Sequence, residues 1–256
     1  MKKILKSPYL ATLLCCLSAF LCMAPMSYAE GGLSLSQTRV VFDAKAKGAK
    51  VTFSNQSDRV YLVNSRVFPT PDTSRQPTEP MPFLVTPPLF RLEKESRNTV
   101  LISKNDTTAL PTDRESVFYL SFLAIPSVKK SPTAEAADAD ADAGMTSTQV
   151  SFGIRTVIKL FYRPSGLSMP SAAAPEKLTF TQQGTQLSVH NPTPYYVTLA
   201  QLTLNGQNVN ARDQGAMIAP FTTQTYAVKS TGQANKVQWS VINEFGGVSE
   251  LHQWSR

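Results

Sequence analysis

Residues that could carry out acid–base, nucleophilic or metal chemistry are few in this chain and form no recognisable site. The two histidines, His190 and His252, are far apart in the sequence, and neither lies in a known motif. The chain contains no G-x-S-x-G, H-E-x-x-H or glycine-rich phosphate loop. We therefore expect no catalytic residues, no cofactor and no small-molecule substrate.

The cysteines also offer no chemistry to the mature protein. Residues 1–6 carry three lysines, residues 10–24 are mostly apolar, and residues 27–29 form a small-x-small cleavage signal. This pattern is typical of a secretory signal peptide, which we place at 1–29. All three cysteines lie within it, so we expect no disulfide and no cysteine-based metal site after cleavage.

An alanine- and aspartate-rich segment at 131–144 is the remaining candidate for metal binding. Asp138, Asp140 and Asp142 alternate with alanine there, but the glycine and the terminal glutamate of a calcium-binding EF-hand loop are missing. Low-complexity composition of this kind cannot bury enough apolar surface to form a core. We interpret 131–144 as a flexible, solvated loop and expect no metal site. The alternative is a regulatory or capping loop beside the strand that follows it.

The elements that must position any binding residues are β-strands. Apolar and polar residues alternate at 33–35, 51–53 and 118–120, and the longest alternating run extends from 150 to 162. Turn clusters at 68–72 and 86–88 separate such runs, and Asn205-Gly206 is a hairpin signal. Short strands at this spacing predict an all-β protein built from β-sandwiches.

A proline-, serine- and alanine-rich stretch divides the chain in two. We predict a first domain at 30–164, a linker at 165–175 and a second domain at 176–256. Both domains are within the size range of immunoglobulin-like sandwiches. The formal net charge of +7 is mild and spread along the chain, and no basic cluster with interleaved aromatic residues is present. Nucleic acid is therefore not an expected partner.

Six motifs, in a fixed order, resemble the periplasmic pilus chaperones of the chaperone–usher pathway, the PapD-like family. They lie at 37–43, 85–92, 113–119, 158–164, 191–198 and 242–247. The resemblance covers nearly all of the mature chain. It implies two immunoglobulin-like β-sandwich domains in a boomerang arrangement, with a pilin subunit bound in the cleft and along one edge of the first domain.

Two cations match the positions that hold the subunit in this family. The resemblance implies that Arg39 and Lys159 bind the C-terminal carboxylate of the subunit. Charged donors suit this task because a carboxylate that leaves water needs charge-assisted hydrogen bonds. Simple alternation does not predict that Lys159 faces the subunit, since it has the opposite parity to Ile154 and Ile158.

An alternating apolar strand matches the segment that the family lends to its subunits. The resemblance implies that Val150, Phe152 and Ile154 enter the groove of an incomplete pilin sandwich, and Thr156 continues that face. The added strand would pair with the subunit's unsatisfied backbone, and its alternate side chains would fill the groove. The alternative is that these residues face the core of their own domain.

An ion cluster between the domains is the third feature implied by the resemblance. Glu115, Arg163 and Glu244 match the family's structural triad, in which an arginine held by two carboxylates sets the domain angle. We expect an architectural role for these residues rather than a binding role.

These features together predict a periplasmic chaperone that binds, folds and caps pilin or fimbrial subunits by donor-strand complementation. It would then deliver them to an outer-membrane usher. Because an exposed apolar edge promotes self-association, we also expect the free protein to cap itself as a homodimer. The alternative function is a secreted β-sandwich adhesin or a fimbrial structural subunit.

Overall fold

The computed structural model describes residues 32–127 and 151–256. The predicted signal peptide at 1–29, the low-complexity segment at 131–144 and Val150 lie outside these ranges. Within the described ranges, no helix is long and apolar enough to cross a membrane.

The first domain is a sandwich of two β-sheets. One sheet has the strand order β1-β3-β7-β5 and the other β2-β9-β8-β4-β6. All strand pairs are antiparallel except β2 and β9, which run parallel. The strands are β1 (Leu33–Leu35), β2 (Arg39–Asp43), β3 (Ala49–Asn55), β4 (Tyr61–Phe68), β5 (Phe83–Thr86), β6 (Leu89–Leu92), β7 (Arg97–Lys104), β8 (Ser116–Pro126) and β9 (Ile154–Arg163).

Alternation along these strands builds an aromatic core between the sheets. The rings of Phe53 and Phe122 stack across the two sheets with centroids 5.7 Å apart. Phe83 contacts both Phe42 and Phe118, at 5.3 and 5.4 Å. Since every second residue of a strand points inwards, each strand supplies one apolar face to this core.

Strand β9 begins later than the alternating sequence predicts. The predicted run starts at Val150, but the strand starts at Ile154. The last pair of the β8–β9 ladder is Ala124 with Ile154. Further pairing would bring Pro126, which has no backbone N–H group to donate, opposite Phe152, so the ladder stops.

The connection between the domains is shorter than the predicted linker at 165–175. Residues Ser171–Lys177 form a 3-10 helix, and its Ala174 is buried in the second core. Trp239 Nε1 donates a hydrogen bond to the carbonyl of Pro175 at 3.1 Å, which holds this helix against the second domain. Half of the predicted linker thus packs as part of that domain.

The second domain is a smaller sandwich. One sheet has the order β10-β11-β15; the other has β13-β12-β16-β17, with β14 also paired to β12. A single helical turn, α1 (Ala211–Gly215), follows β13. The strands are β10 (Thr179–Gln183), β11 (Gln186–His190), β12 (Val197–Leu204), β13 (Gln207–Asn208), β14 (Met217–Ile218), β15 (Thr223–Ala227), β16 (Lys236–Val241) and β17 (His252–Ser255).

The predicted Asn-Gly hairpin is confirmed between β12 and β13. Asn205 and Gly206 both have positive φ angles, 49° and 81°, as a two-residue type I′ turn requires. The flanking residues Leu204 and Gln207 are paired. The predicted all-β fold with two immunoglobulin-like sandwiches is likewise confirmed.

Candidate functional site

The parallel β2–β9 ladder brings the two predicted cations together. Arg39 and Lys159 are direct partners in its register. On both strands the next residues, Val40 and Leu160, are buried in the core. Because side chains alternate along a strand, Arg39 and Lys159 lie on the opposite face of the sheet, which is turned away from that core.

Arg39 is partly buried at the boundary between the two domains. Its Nη1 donates a hydrogen bond to the carbonyl of Ile242 in the second domain at 3.0 Å. Its guanidinium lies 5.9 Å from the ring centroid of Phe161. Within the described residues, its Nε is buried and has no hydrogen-bond partner. Burial lowers the pKa of Arg39, so an anion at this position would meet a poorly solvated positive charge.

Lys159 is also a partly desolvated cation. Burial lowers the pKa of its ammonium group, and repulsion from Arg39 lowers it further. In the described part of the chain, neither cation has a carboxylate within 4.0 Å. Two like charges held side by side in this way favour binding of an anion that can accept hydrogen bonds from both.

The predicted donor face divides into an exposed part and a buried part. Phe152 is 78% exposed and Ile154 50% exposed, whereas Ile158 on the same face is only 7% exposed. Thr156 lies between them with intermediate exposure. The alternative that this whole face packs into its own domain therefore does not hold for Phe152 and Ile154.

The backbone of β9 also has an unpaired edge beside these side chains. On one side, β9 pairs with β8 along Ile154–Arg163. On the other side, β2 covers only the last five residues, from Lys159 onward. In the described part of the chain the edge at 154–158 therefore presents unpaired backbone groups, and it leads directly to the two cations.

Arg155 fastens the opposite face of this strand to a loop that follows β4. Its Nη1 donates hydrogen bonds to the carbonyl oxygen of Thr73 at 2.6 Å and to the Thr73 hydroxyl at 2.8 Å. No feature of the sequence singled out this contact. It holds the exposed start of β9 in place where the β-ladder ends.

The predicted triad meets at the boundary between the two domains. Arg163 Nε lies 2.8 Å from Glu115 Oε1, and Arg163 Nη2 lies 2.5 Å from Glu244 Oε1. Ser171, which the sequence analysis did not single out, donates to the same oxygen of Glu244 at 2.7 Å. The Arg163 guanidinium also lies 5.1 Å from the ring centroid of Tyr195.

The two carboxyl groups of the cluster have different environments. Burial raises the pKa of Glu115, although Arg163 and the backbone N–H of Tyr196 counter part of that effect. Burial also acts on Glu244, but hydrogen bonds from Arg163 and Ser171 outweigh it and lower the pKa of Glu244. The more exposed carboxylate is therefore the one best stabilised in its charged form.

A buried asparagine shapes the second-domain turn that contacts this cluster. Asn191 is fully buried; its Nδ2 donates to the carbonyl of Tyr195 at 2.7 Å, and its Oδ1 accepts from the Thr193 hydroxyl at 2.7 Å. The turn presents Tyr196, whose ring lies 5.6 Å from that of Phe161. The proline-flanked motif at 191–194 was the sequence signal for this turn, but its partner across the domains could not be read from it.

A glycine allows a second contact between the domains. Gly246 has a φ of 87°, and a Cβ atom built on it would lie 2.2 Å from the Thr38 hydroxyl. Thr38 immediately precedes Arg39. The loop that carries Glu244 can therefore approach the start of β2 only because residue 246 has no side chain.

These elements surround a cleft of about 450 Å³ between the domains. The first domain contributes residues that include Arg39, Val41 and Phe161, and the second contributes residues that include Thr198 and Ile242. Lys159 does not line this cavity and lies beside Arg39 on the neighbouring strand. The lining also includes four glutamates, of which Glu115 and Glu244 pair with Arg163. The positive charge available to a carboxylate is therefore confined to the part of the cleft at Arg39, beside Lys159.

Comparison with known protein families identifies the family of both domains. The family described as "Pili and flagellar-assembly chaperone, PapD N-terminal domain" matches residues 32–168. The family described as "Pili assembly chaperone PapD, C-terminal domain" matches residues 173–253. This chain belongs to the PapD-like pilus-assembly chaperones. The predicted family and the predicted chaperone role are confirmed, in preference to an adhesin or a structural subunit.

Related chaperones match over almost their full length. A probable fimbrial chaperone of Escherichia coli O157:H7, LpfB, is 34% identical over 98% of this chain and 97% of its own. The chaperone protein FimC of Escherichia coli K12 is 31% identical over 90% of this chain and 87% of its own.

Solved structures of chaperones share the fold. The crystal structure of the YadV chaperone has a TM-score of 0.67 at 31% identity and covers 88% of this chain and 99% of its own. The complex of the Salmonella enterica SafA pilin with the SafB chaperone contains a match with a TM-score of 0.70 at 28% identity. It covers 90% of this chain and 99% of the matched chain.

Proposed function

We propose that this chaperone captures pilin or fimbrial subunits in the periplasm by lending them the segment 150–156 as a β-strand. It then passes them to an outer-membrane usher. The observation that carries the proposal is the unpaired edge of β9, with Phe152 and Ile154 exposed. This edge leads to two cations that pair with no carboxylate among residues 32–127 and 151–256. The presence of a pilin in the solved complex of the related chaperone SafB supports this partner.

The two cations anchor the subunit and set its register. Arg39 and Lys159 are partly desolvated and repel each other, so a carboxylate placed between them relieves both costs. A charged hydrogen bond of this kind contributes about 1.5–3 kcal/mol. Because the anchor lies at the end of the unpaired edge, it decides which subunit residues align with Ile154.

The exposed segment of the donor strand completes the subunit. The unpaired backbone of β9 supplies hydrogen bonds to an open sheet edge, and Phe152 and Ile154 fill its groove. Val150 belongs to the same predicted face but lies outside the described residues. Burial of one large apolar side chain contributes about 1.5–3 kcal/mol, so the pair supplies much of the affinity.

The cycle requires no covalent chemistry, and we assign the protein a non-enzymatic role. Binding and release exchange one β-strand for another, with no bond made or broken. The gain in packing when a neighbouring subunit's own segment replaces the donor strand drives release. Within the described residues, no group of three or more potential metal ligands comes together.

Copurification tests the proposal. The tagged chaperone is purified from the periplasmic extract of its native cells, and the bound protein is identified by mass spectrometry. We expect a subunit of the pilin type. Arg39→Ala and Lys159→Ala should each reduce its yield at least tenfold, because each removes a charge-assisted hydrogen bond worth about 1.5–3 kcal/mol.

A matched control separates the anchor from a general charge effect. Arg91 is an exposed cation paired with Glu93, with its Nε 2.5 Å from the carboxylate, and Arg91→Ala should leave the yield unchanged. All three variants should keep the melting temperature of the parent chain. Normal subunit yield from Arg39→Ala and Lys159→Ala would overturn the anchor, and a bound protein of another class would overturn the proposed partner.

A further inference from the structure

Buried polar atoms without partners are concentrated at the cleft between the domains. Within residues 32–127 and 151–256, such side-chain atoms occur at five positions: Arg39, Ser65, Gln182, Thr198 and His252. Three of these residues, Arg39, Thr198 and His252, line the cleft. A buried polar group is costly unless a hydrogen-bond partner reaches it, so the cleft walls are complementary to a polar ligand.

Thr198 is the clearest of these groups in the second domain. Its neighbours Val197 and Leu199 belong to the second core, so alternation along β12 turns Thr198 to the opposite face, towards the cleft. The residue is only 7% exposed, and its hydroxyl oxygen has no partner among the described residues. A valine would fill the same space without leaving a hydroxyl group unpaired.

The backbone connects Thr198 directly to the anchor. The carbonyl oxygen of Thr198 accepts a hydrogen bond from the N–H of Ile242 at 2.8 Å. The carbonyl of Ile242 in turn accepts the bond from Arg39 Nη1 at 3.0 Å. The backbone of Thr198 and the guanidinium of Arg39 are therefore linked across the two domains through Ile242, although the Thr198 hydroxyl itself takes no part in these bonds.

His252 lies in a different setting. Its ring stacks on Trp239 with centroids 5.6 Å apart. This packing gives the imidazole a structural role in the second domain, whereas Thr198 has no such role on its cleft-facing side.

We propose that the Thr198 hydroxyl hydrogen-bonds the C-terminal residue of the captured subunit from the second-domain wall, opposite Arg39. The inference rests on the proposed function, because it assigns a further binding residue to the same anchor. The ligand class is the carboxylate end of an extended peptide. Arg39 and Lys159 neutralise its charge from the first domain, and Thr198 positions it from the second.

The isosteric substitution Thr198→Val makes the test sharp, because it should change stability and binding in opposite directions. Removal of an unpaired buried hydroxyl should leave the melting temperature of the free chaperone equal or higher. The affinity for the copurified subunit should fall about 3- to 10-fold, as expected for one lost hydrogen bond. Thr198→Ser restores a hydroxyl group and should recover most of the affinity.

Ser65→Ala is the matched control. Ser65 also carries a buried hydroxyl without a partner among the described residues, but it lies in the first domain and does not line the cleft. This variant should behave like Thr198→Val in melting and like the parent chain in binding. The binding probe is a labelled synthetic peptide of the last residues of the copurified subunit, with either a free or an amidated C-terminus.

The outcomes separate this inference from the proposed function. If Thr198→Val binds the free-acid peptide as tightly as the parent chain while Arg39→Ala does not, the inference fails and the proposed anchor stands. If Arg39→Ala also binds normally, or amidation has no effect, the proposed anchor fails. If Thr198→Val destabilises the free chaperone, or Ser65→Ala weakens binding equally, the hydroxyl is structural and the inference is overturned.

Discussion

Replacement of the two exposed donor residues should weaken subunit capture without affecting the fold. We choose Phe152→Thr with Ile154→Thr, because threonine keeps the preference for an extended strand and removes most of the apolar surface. Phe152 is 78% exposed and Ile154 50% exposed, so most of the surface that they could bury in a subunit is available. The free chaperone should lose only about 1–2 kcal/mol of stability, which corresponds to the parts of the two side chains that it already buries.

The expected loss of affinity follows from these exposed fractions. With about 1.5–3 kcal/mol for full burial of one large apolar side chain, the exposed parts of the two residues contribute about 3 kcal/mol together. That is roughly a 100-fold weaker complex. Costs of association that are common to parent and variant cancel in this comparison.

Competition against a labelled complex measures this loss. The copurified subunit is held by fluorophore-labelled chaperone, and unlabelled variants displace the label, as followed by anisotropy. Leu84→Thr is the control, because Leu84 is also 50% exposed but lies on β5 in the other sheet. If the double variant competes within threefold of the parent chain, the donor-strand reasoning is wrong.

A substitution further along the same face should have the opposite signature. Ile158 is only 7% exposed and packs in the core of the first domain. Ile158→Thr should therefore lower the free energy of unfolding of the free chaperone by about 1–3 kcal/mol, whereas Phe152→Thr should not. Urea denaturation of both variants tests where the donor face ends and the domain core begins.

Three further results are expected. Gly246→Ala should destabilise the chain by about 1–3 kcal/mol because of the positive φ at residue 246 and the contact with Thr38. Adding Thr38→Ala to this variant should recover the steric part of the loss. Urea titrations that show no recovery would contradict the assigned contact. The lowered pKa of Glu244 means that its contribution to stability is complete above its unfolded pKa, near 4.5, and is lost as the pH falls through the folded value. The stability difference between the parent chain and Glu244→Gln should therefore shrink in that acidic range, and a difference independent of pH would argue against the ion pair with Arg163. The unpaired edge of β9 should lead the free chaperone to cap itself as a homodimer. Sedimentation should detect this dimer for the parent chain, and the double variant Phe152→Thr, Ile154→Thr should be monomeric. A parent chain that is monomeric at all concentrations would contradict this prediction.

Local sequence patterns were sufficient to predict that the chain is built from β-strands and where several of its turns lie. The alternation at 51–53 and 118–120 reflects burial of one strand face, and burial depends on side-chain type. The Asn205-Gly206 turn follows from the φ angles that those residues tolerate. The beginning of β9 was not predictable in this way, because the proline that ends its ladder, Pro126, belongs to the neighbouring strand.

The sequence alone determined that this is a two-domain, all-β chain with the motifs of a pilus chaperone. Strand periodicity and turn chemistry are local properties, and the six motifs keep their order. Only the tertiary structure decided how one alternating face divides: Phe152 is exposed and Ile158 is buried, although they have the same parity. Only the parallel β2–β9 register placed Arg39 beside Lys159, because pairing between distant segments depends on how the whole sheet assembles and on no pattern within either strand.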